Sequence, residues 1–191
     1  DNASGAAMMM ELARLFAQNP GKRTLQFIWC GSEEAGLEGA RAYVNRHAEE
    51  LSSIRLVING DLLGSAMGAD YAIAMGDTDL ADFLRQLALE EGVPAIVTRH
   101  AIPSDCTVFA DKGVIAVGFG RYGTPETAAM HDRNDSSTFL SAAAMERSIQ
   151  FAYRFSREAA NREVLPFSRK IPEDMKQMVD QYLFNEVRHK L

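Results

Sequence analysis

The sequence predicts an α/β fold, a three-layer sandwich in which a mixed, mostly parallel sheet is covered by helices on both faces. Short, nearly continuous hydrophobic runs alternate with segments of helical periodicity along the chain. Several of these runs lack the polar alternation of a half-exposed strand, which is typical of strands buried on both faces. The 191 residues, 47% of them hydrophobic, suit a single domain, 1–191, with a sizeable core.

The expected elements follow one another from the start of the chain. Asn2 or Ser4 can cap a first helix, which Asn19-Pro20-Gly21 ends. Hydrophobic, largely β-branched and aromatic runs favour strands at 24–29, 54–58, 71–75, 95–98 and 114–119. Periodic hydrophobic residues favour further helices at about 37–51, 80–91, 106–112 and 137–158.

The C-terminal segment, 166–191, is predicted to contain an amphipathic helix. After Pro172, Met175, Val179 and Leu183 recur at helical spacing with charged residues between them. A helix that covers the core is the favoured interpretation. Contact with a second copy in a homo-oligomer is the alternative.

Composition and charge exclude some classes of function. The net charge is −6, and no basic run is present, so we expect no nucleic-acid partner. No hydrophobic stretch approaches the roughly 20 residues that a membrane span needs. The two cysteines, Cys30 and Cys106, are too few for a disulfide framework and do not fix the compartment.

Polar residues follow the ends of the predicted strands. Glu33 and Glu34 come after the first strand, Asp61 after the second, and His131 in the loop after the last. Ligands of open α/β sheets bind beyond the carboxyl ends of the strands, so these side chains are expected to converge there. Crowded carboxylates repel one another unless a cation lies between them. Carboxylates with an imidazole suit zinc, with manganese or cobalt as substitutes.

Each of these residues also has a simpler interpretation. The pair Glu33-Glu34 could supply negative charge to the N-terminus of a helix that starts near Ala35. Asp61 could be a turn residue, and His131 a surface histidine. Their joint placement favours a metal site, in which one glutamate binds the ion and its neighbour acts as a general base.

Five sequence blocks resemble a known family, in order, from residue 1 to about residue 150. The family is that of the co-catalytic di-zinc aminopeptidases, of the bacterial leucyl aminopeptidase and aminopeptidase Y type. Its relatives include glutamate carboxypeptidase, glutaminyl cyclase and the transferrin receptor ectodomain. The blocks are Asp1-Asn2-Ala3-Ser4-Gly5-Ala6-Ala7, Gly31-Ser32-Glu33-Glu34-Ala35-Gly36-Leu37-Glu38-Gly39, Asn59-Gly60-Asp61, Ser104-Asp105-Cys106-Thr107-Val108-Phe109 and Met130-His131.

The resemblance implies a role for each of these site residues. Asp1 would bridge two zinc ions, Glu34 and His131 would complete one site, and Asp61 would bind the other ion. Glu33 would be the general base, and the substrate a peptide. The resemblance also implies a cis peptide bond after Asp1 and favours a secreted or periplasmic location.

Two departures from the family pattern matter. The family's remaining zinc ligand is a histidine in an H-x-D motif upstream of the bridging aspartate, so we expect this chain to be the C-terminal portion of a longer domain. The chain alone would then hold as few as one of the two ions. The positions where some relatives carry an oxyanion-stabilising tyrosine hold Ala101 and Met130. The candidate substitutes in substrate binding are His100, Arg121 and Tyr122.

The favoured function is that of a zinc-dependent aminopeptidase, which removes N-terminal residues from peptides. A glutaminyl-cyclase-like acyltransferase and a non-catalytic binding relative are the alternatives. Arg99, Arg121 or Arg133 could capture a substrate carboxylate, which leaves dipeptidase or carboxypeptidase activity open.

Overall fold

A four-stranded mixed sheet forms the centre of the structure. The structure is a computed structural model, which describes residues 1–189 apart from the side chains of 124–126 and 184–189. The strands are β1 (Val57–Gly60), β2 (Ala69–Met75), β3 (Ile96–Arg99) and β4 (Ala116–Tyr122), and their order in the sheet is β1-β4-β2-β3. β1 is parallel to β4, and β2 is parallel to β3, whereas β2 and β4 are antiparallel. Parallel pairs therefore predominate, as predicted.

Seven helices accompany the sheet in the described part of the chain. They are α1 (Ala3–Gln18), α2 (Glu38–Arg46), α3 (Thr78–Glu90), α4 (Asp105–Asp111), α5 (Thr124–Ala129), α6 (Ala142–Asn161) and α7 (Glu173–His189). Helices α1, α3 and α6 share one hydrophobic cluster with the sheet. Helices α2, α4 and α7 pack in two further clusters on the other face. The predicted fold class is thus confirmed.

The hydrophobic run that leads into β4 shows why these strands lack polar alternation. Ile115, Val117 and Phe119 pack in the cluster of α1, α3 and α6. Val114, just before Ile115, and Ala116, between Ile115 and Val117, pack in the clusters on the opposite face. Side chains of a strand point alternately to its two faces, so a sheet covered on both sides needs hydrophobic residues at every position.

Helix α7 lies in the predicted C-terminal segment and covers the core. Met175 and Val179 are fully buried, and Met178 is 37% exposed. Arg99 at the end of β3 binds Asp174 through two hydrogen bonds of 2.6 and 2.8 Å, which fixes the start of the helix. Residues 190 and 191 of the predicted segment lie outside the described residues. No helix in the described part is both long enough and apolar enough to cross a membrane.

The strand predicted at 24–29 is wrong. The segment forms no strand, and β1, at the edge of the sheet, pairs only with β4 among the described residues. Phe27 and Ile28 still pack in clusters on opposite faces, as neighbouring residues of a strand would. The hydrophobic pattern therefore reports burial correctly, but a strand also requires a partner for its backbone groups.

The long helix predicted at 137–158 begins later. Ser137–Phe139 forms a single 3₁₀ turn, and Ser141 caps α6 by accepting a hydrogen bond from the Ala144 amide at 3.4 Å. Ser141 interrupts the helix because its hydroxyl satisfies one of the free amides of the first turn.

Replacement of Phe155 by alanine tests the packing of the larger cluster. Phe155 is fully buried, and the centroid of its ring lies within 6.4 Å of the ring centroids of Phe83, Phe119 and Phe167. The cavity left by Phe155→Ala should lower the free energy of unfolding by about 3–5 kcal/mol in urea denaturation. Leu89→Ala, at a position 82% exposed, should change it by less than about 0.5 kcal/mol. Equal effects of the two substitutions would contradict this view of the core.

Candidate metal centre

The carboxyl ends of β1 and β4 lie at the same edge of the sheet. The two strands are parallel, and Gly60 is opposite Phe119. Asp61 continues this register, because its amide donates to the Phe119 carbonyl at 3.0 Å. The chain beyond β4 then leads to His131. The edge therefore receives Asp61 and His131 from neighbouring strands, as the sequence predicts.

The start of α1 is held against the end of β1. A Cβ atom on Gly5 would lie 2.1 Å from the Gly60 carbonyl oxygen, so only glycine allows this approach. The Asn2 side chain caps α1 by accepting from the Gly5 amide at 2.9 Å and donates to the Gly60 carbonyl at 3.0 Å. These contacts bring Asp1 to the edge that carries Asp61. The peptide bond between Asp1 and Asn2 is cis, as the resemblance implies.

Glu33 and Glu34 lie in a compact loop, residues 31–39. The Gly36 and Leu37 amides both donate to the Glu33 carbonyl, at 3.0 and 2.7 Å, and the Gly39 amide donates to the Gly31 carbonyl at 3.0 Å. Helix α2 begins only at Glu38. The two glutamates therefore do not lie in the first turn of a helix, and the interpretation that they only supply charge to a helix starting near Ala35 is wrong.

Three of the predicted ligands meet. Asp1, Glu34 and His131 each offer a ligand atom, and all three atoms lie within 4.8 Å of one another. His131 Nε2 is 3.1 Å from Asp1 Oδ2 and 2.8 Å from Glu34 Oε1. The Asp1 side chain is 11% exposed, whereas those of Glu34 and His131 are 58% and 51% exposed. Together with Asp132 and Asp135 they line a surface cavity of about 540 Å³, so the group is open to a ligand from solvent.

The donor set fits zinc. Catalytic zinc sites combine three protein ligands with one open position, and ligands about 2.1 Å from a tetrahedral ion lie about 3.4 Å apart. The observed separations of 2.8 and 3.1 Å need only a slight outward movement of the side chains. Asp61 is outside this group of three but close enough for Glu34 to raise its pKa.

Carboxylates crowd the region beside this group. Burial, and then Glu34, Asp61 and Asp105, raise the pKa of Glu33 to about 8. Burial, and then Asp105 and Glu34, raise the pKa of Asp61 to about 6. Burial also raises the pKa of Asp105. Because buried like charges destabilise the ionised forms, the region favours either protons or a cation.

Unusual backbone conformations surround the centre. Among the described residues, the non-glycine residues with positive φ are Ser32 (58°), Leu37 (63°), Leu62 (51°) and His131 (63°). Ser32 and Leu37 flank the two glutamates, and Leu62 follows Asp61. A left-handed conformation is unfavourable for these residue types and persists only where surrounding contacts enforce it. Contacts at this edge of the sheet therefore fix the backbone conformation beside Glu33-Glu34, beside Asp61 and at His131.

The three candidate substrate contacts fall in different places. Tyr122 is at the end of β4, close enough to Asp61 that this carboxylate, after burial, helps to raise the phenol pKa to about 12. His100 follows β3, and the carboxyl end of β3 lies at the edge of the sheet opposite to the one that carries Asp61 and His131. Arg121 is buried and bonded to Asp70 at 2.7 Å. Of the three, Tyr122 lies nearest to the predicted ligands.

Sequence reasoning did not assign the side chains that hold the Ser104-Asp105 segment at this edge. Asn59 Nδ2 donates to Ser104 Oγ at 2.6 Å, which ties the segment to β1. Asp105 is hydrogen-bonded with the Cys30 thiol, and its Oδ1 is buried with no hydrogen-bond partner in the described structure. Asn59 and Ser104 do belong to two of the five sequence blocks that resemble the family, and this membership was the sequence feature that could have identified them.

The α/β sheet and the carboxylate-imidazole group at its edge define the class of the protein, an α/β domain with a candidate metal centre. Comparison with known proteins then gives the family. The model of "Peptidase family M28" matches residues 1–156, so the chain belongs to this family.

Known proteins resemble this chain in sequence and in structure. Aminopeptidase YwaD of Bacillus subtilis is 26% identical over 176 residues, which are 87% of this chain and 38% of that protein. The crystal structure of BSAP, a zinc aminopeptidase from Bacillus subtilis, matches with a TM-score of 0.74 and 26% identity over 92% of this chain and 45% of that one. An Acidobacteriales bacterium glutaminyl cyclase shares the fold, with a TM-score of 0.61 and 18% identity over 80% of this chain and 60% of that one. The chain thus spans less than half the length of these two aminopeptidases.

The stability of the metal-free protein should fall as pH rises. The folded state holds a proton on Glu33 up to about pH 8, whereas the ordinary glutamate value is 4.5, so folding favours the protonated form between these values. Protonation of Asp61 stabilises the folded state in the same way between pH 3.8 and about pH 6. Urea denaturation in the presence of a chelator should therefore give a lower free energy of unfolding at about pH 8.5 than at about pH 5.5.

Glu33→Gln should remove most of this decrease, because a neutral amide has no charge to bury. Glu146→Gln, an exposed glutamate of α6, is the matched control and should keep it. A stability that rises over the same pH interval in the unsubstituted protein would contradict the pKa values of the centre.

Proposed function

We propose that the protein is a zinc-dependent aminopeptidase that hydrolyses the N-terminal residue from peptides. The observation that carries this proposal is the convergence of Asp1, Glu34 and His131 within 4.8 Å, with Glu33 next to one of them in the chain. Membership of family M28 and the zinc aminopeptidase named among its relatives support it.

Asp1, Glu34 and His131 would hold one zinc ion, and Asp1 and Asp61 would contribute to a second. Zinc bound there supplies a Lewis acid that polarises the scissile carbonyl and lowers the pKa of water. The proximity of Asp61 to Glu34 and its raised pKa agree with a site that a second cation completes.

Glu33 would serve as the general base. It takes a proton from the attacking water and returns it to the leaving amine. A carboxyl whose pKa is raised to about 8 can both accept and release a proton near neutral pH. Zinc would lower this value, since a cation favours the ionised carboxylate, so the base would be ready to accept a proton.

Acidic residues and Tyr122 would orient the substrate. Asp132 and Asp135 line the cavity and give it a negative charge that suits the free ammonium group of a peptide N-terminus. The Tyr122 hydroxyl is protonated at neutral pH, as for any tyrosine, and near Asp61 it can donate a hydrogen bond to an oxygen that becomes negative. Tyr122 is therefore the preferred substrate contact over Arg121 and His100.

Two substitutions in one loop separate metal binding from catalysis. Glu34→Ala should reduce bound zinc, measured by elemental analysis after dialysis against the metal. Glu33→Gln should keep the zinc and lower kcat on leucine p-nitroanilide by about 10²–10⁴-fold, because only the proton transfer is lost. Glu38→Gln, at the exposed first turn of α2, is the control and should change neither quantity.

Other outcomes would favour the alternatives. Conversion of N-terminal glutamine peptides to pyroglutamate without release of amino acids would replace the aminopeptidase with a glutaminyl-cyclase-like acyltransferase. Absence of zinc binding even with excess metal would contradict the metal centre and favour a non-catalytic binding role.

A further inference from the structure

Arg121 is a buried side chain that contacts the loop carrying Asp61. We infer that Arg121 is a positioning residue, which sets the location of Asp61 by holding residues 62–65 and is itself held by Asp70. The expected effect of Arg121 on metal binding rests on the proposed role of Asp61 as a metal ligand. The expected effect of Arg121 on the backbone of residues 62–65 does not rest on that role.

The first observation is that Arg121 holds the loop at two places. Its backbone amide donates to the Leu62 carbonyl at 2.8 Å, a bond that any residue except proline can make here. Its side-chain Nε donates to the Ser65 carbonyl at 2.7 Å, and this is the bond that depends on arginine. Ser65 is four residues after Asp61 in the same short loop, so a shift of the Ser65 carbonyl would move the Asp61 backbone as well.

The second observation is that the Arg121 guanidinium is itself fixed. Its Nη1 donates to Asp70 Oδ2 at 2.7 Å, and Asp70 is 2% exposed. Ser148 Oγ donates to Asp70 Oδ1 at 2.5 Å, and Arg147 Nε to Oδ2 at 3.4 Å, so helix α6 holds the carboxylate from the other side. A buried carboxylate must keep its partners, which leaves Arg121 little freedom.

The third observation is the conformation of the loop. Leu62 has φ 51°, and Gly64 has φ 83°. Leucine adopts a left-handed conformation only where contacts enforce it. The bonds from Arg121 to the Leu62 and Ser65 carbonyls span this unfavourable stretch, and they maintain it together with the bond from the Leu63 amide to Ser4 Oγ at 2.9 Å and the bond from the Ser141 amide to the Gly64 carbonyl at 2.9 Å.

The geometry requires arginine at this position. The guanidinium donates from Nε toward the loop and from Nη1 toward Asp70, which are two directions from one rigid group. Lysine would keep the charge that Asp70 needs, but its single ammonium nitrogen sits at the end of a flexible stem and would not reproduce both bonds.

The test compares Arg121→Lys with Arg147→Lys. Both substitutions alter a partner of the same buried carboxylate, but Arg147 does not contact the loop through any hydrogen bond described. Hydrogen exchange should become at least about tenfold faster in the segment 61–66 in Arg121→Lys and remain unchanged there in Arg147→Lys. Equal exchange in the two variants would overturn the inference.

Zinc titration adds the functional readout, with Asp61→Asn as the reference. Loss of a residue that hydrogen-bonds a metal ligand typically weakens metal binding by about 10–100-fold. Arg121 acts on Asp61 only through the loop backbone, so Arg121→Lys should weaken the Asp61-dependent binding by about tenfold, the lower end of this range, and Arg147→Lys should not weaken it. Unchanged zinc binding in Arg121→Lys, where Asp61→Asn reduces it, would refute the functional consequence. Unchanged binding in Asp61→Asn would instead refute the proposed ligand, while the exchange result would still decide the positioning role.

Ser148→Ala provides a second variant if Arg121→Lys cannot be purified as a folded protein. It removes one donor to Asp70 and leaves the arginine in place. A smaller acceleration of exchange, again confined to 61–66, is expected. Acceleration spread evenly over α6 and β2 would show a purely structural role.

Discussion

The close contact between α1 and the end of β1 is the constraint on which the centre depends. Gly5 allows the helix to approach the Gly60 carbonyl, and Asn2 binds both the helix and the strand. Ser4 adds a third bond, because its hydroxyl accepts from the Leu63 amide at 2.9 Å. Three residues after Asp1 therefore connect it to the loop that carries Asp61. Without this contact the two aspartates would belong to independent parts of the chain.

The adjacent glutamates gain different environments from one turn. Glu33 is half-buried and close enough to Asp61 and Asp105 for their charges to raise its pKa. Glu34 is exposed and contacts His131 at 2.8 Å. The positive φ of Ser32 and the two amides that donate to the Glu33 carbonyl reverse the chain here, so neighbouring side chains point to different places. The loop therefore places one half-buried acid and one exposed ligand side by side at the same edge of the sheet.

The sequence predicted those parts that depend on local pattern. Hydrophobic runs located the four strands that pair, and strand ends located Asp61 and His131, because both follow from side-chain periodicity and sheet geometry. The segment 24–29 has the same pattern but no strand, since pairing depends on a neighbour that the pattern does not describe. The role of Arg121 was also beyond prediction from sequence. Its partner Asp70 is 51 residues away, and only the fold brings the pair together.

The charges of the centre link its stability to its proposed activity. Burial raises the pKa values of Glu33, Asp61 and Asp105, and repulsion from neighbouring carboxylates adds to the shifts of Glu33 and Asp61. The same crowding increases the gain from a bound cation, which must relieve that repulsion. A rearrangement that separated the carboxylates would stabilise the metal-free fold but weaken metal binding. The rigid contacts around them, from Asn2 on one side and Arg121 on the other, oppose that rearrangement and keep the carboxylates together.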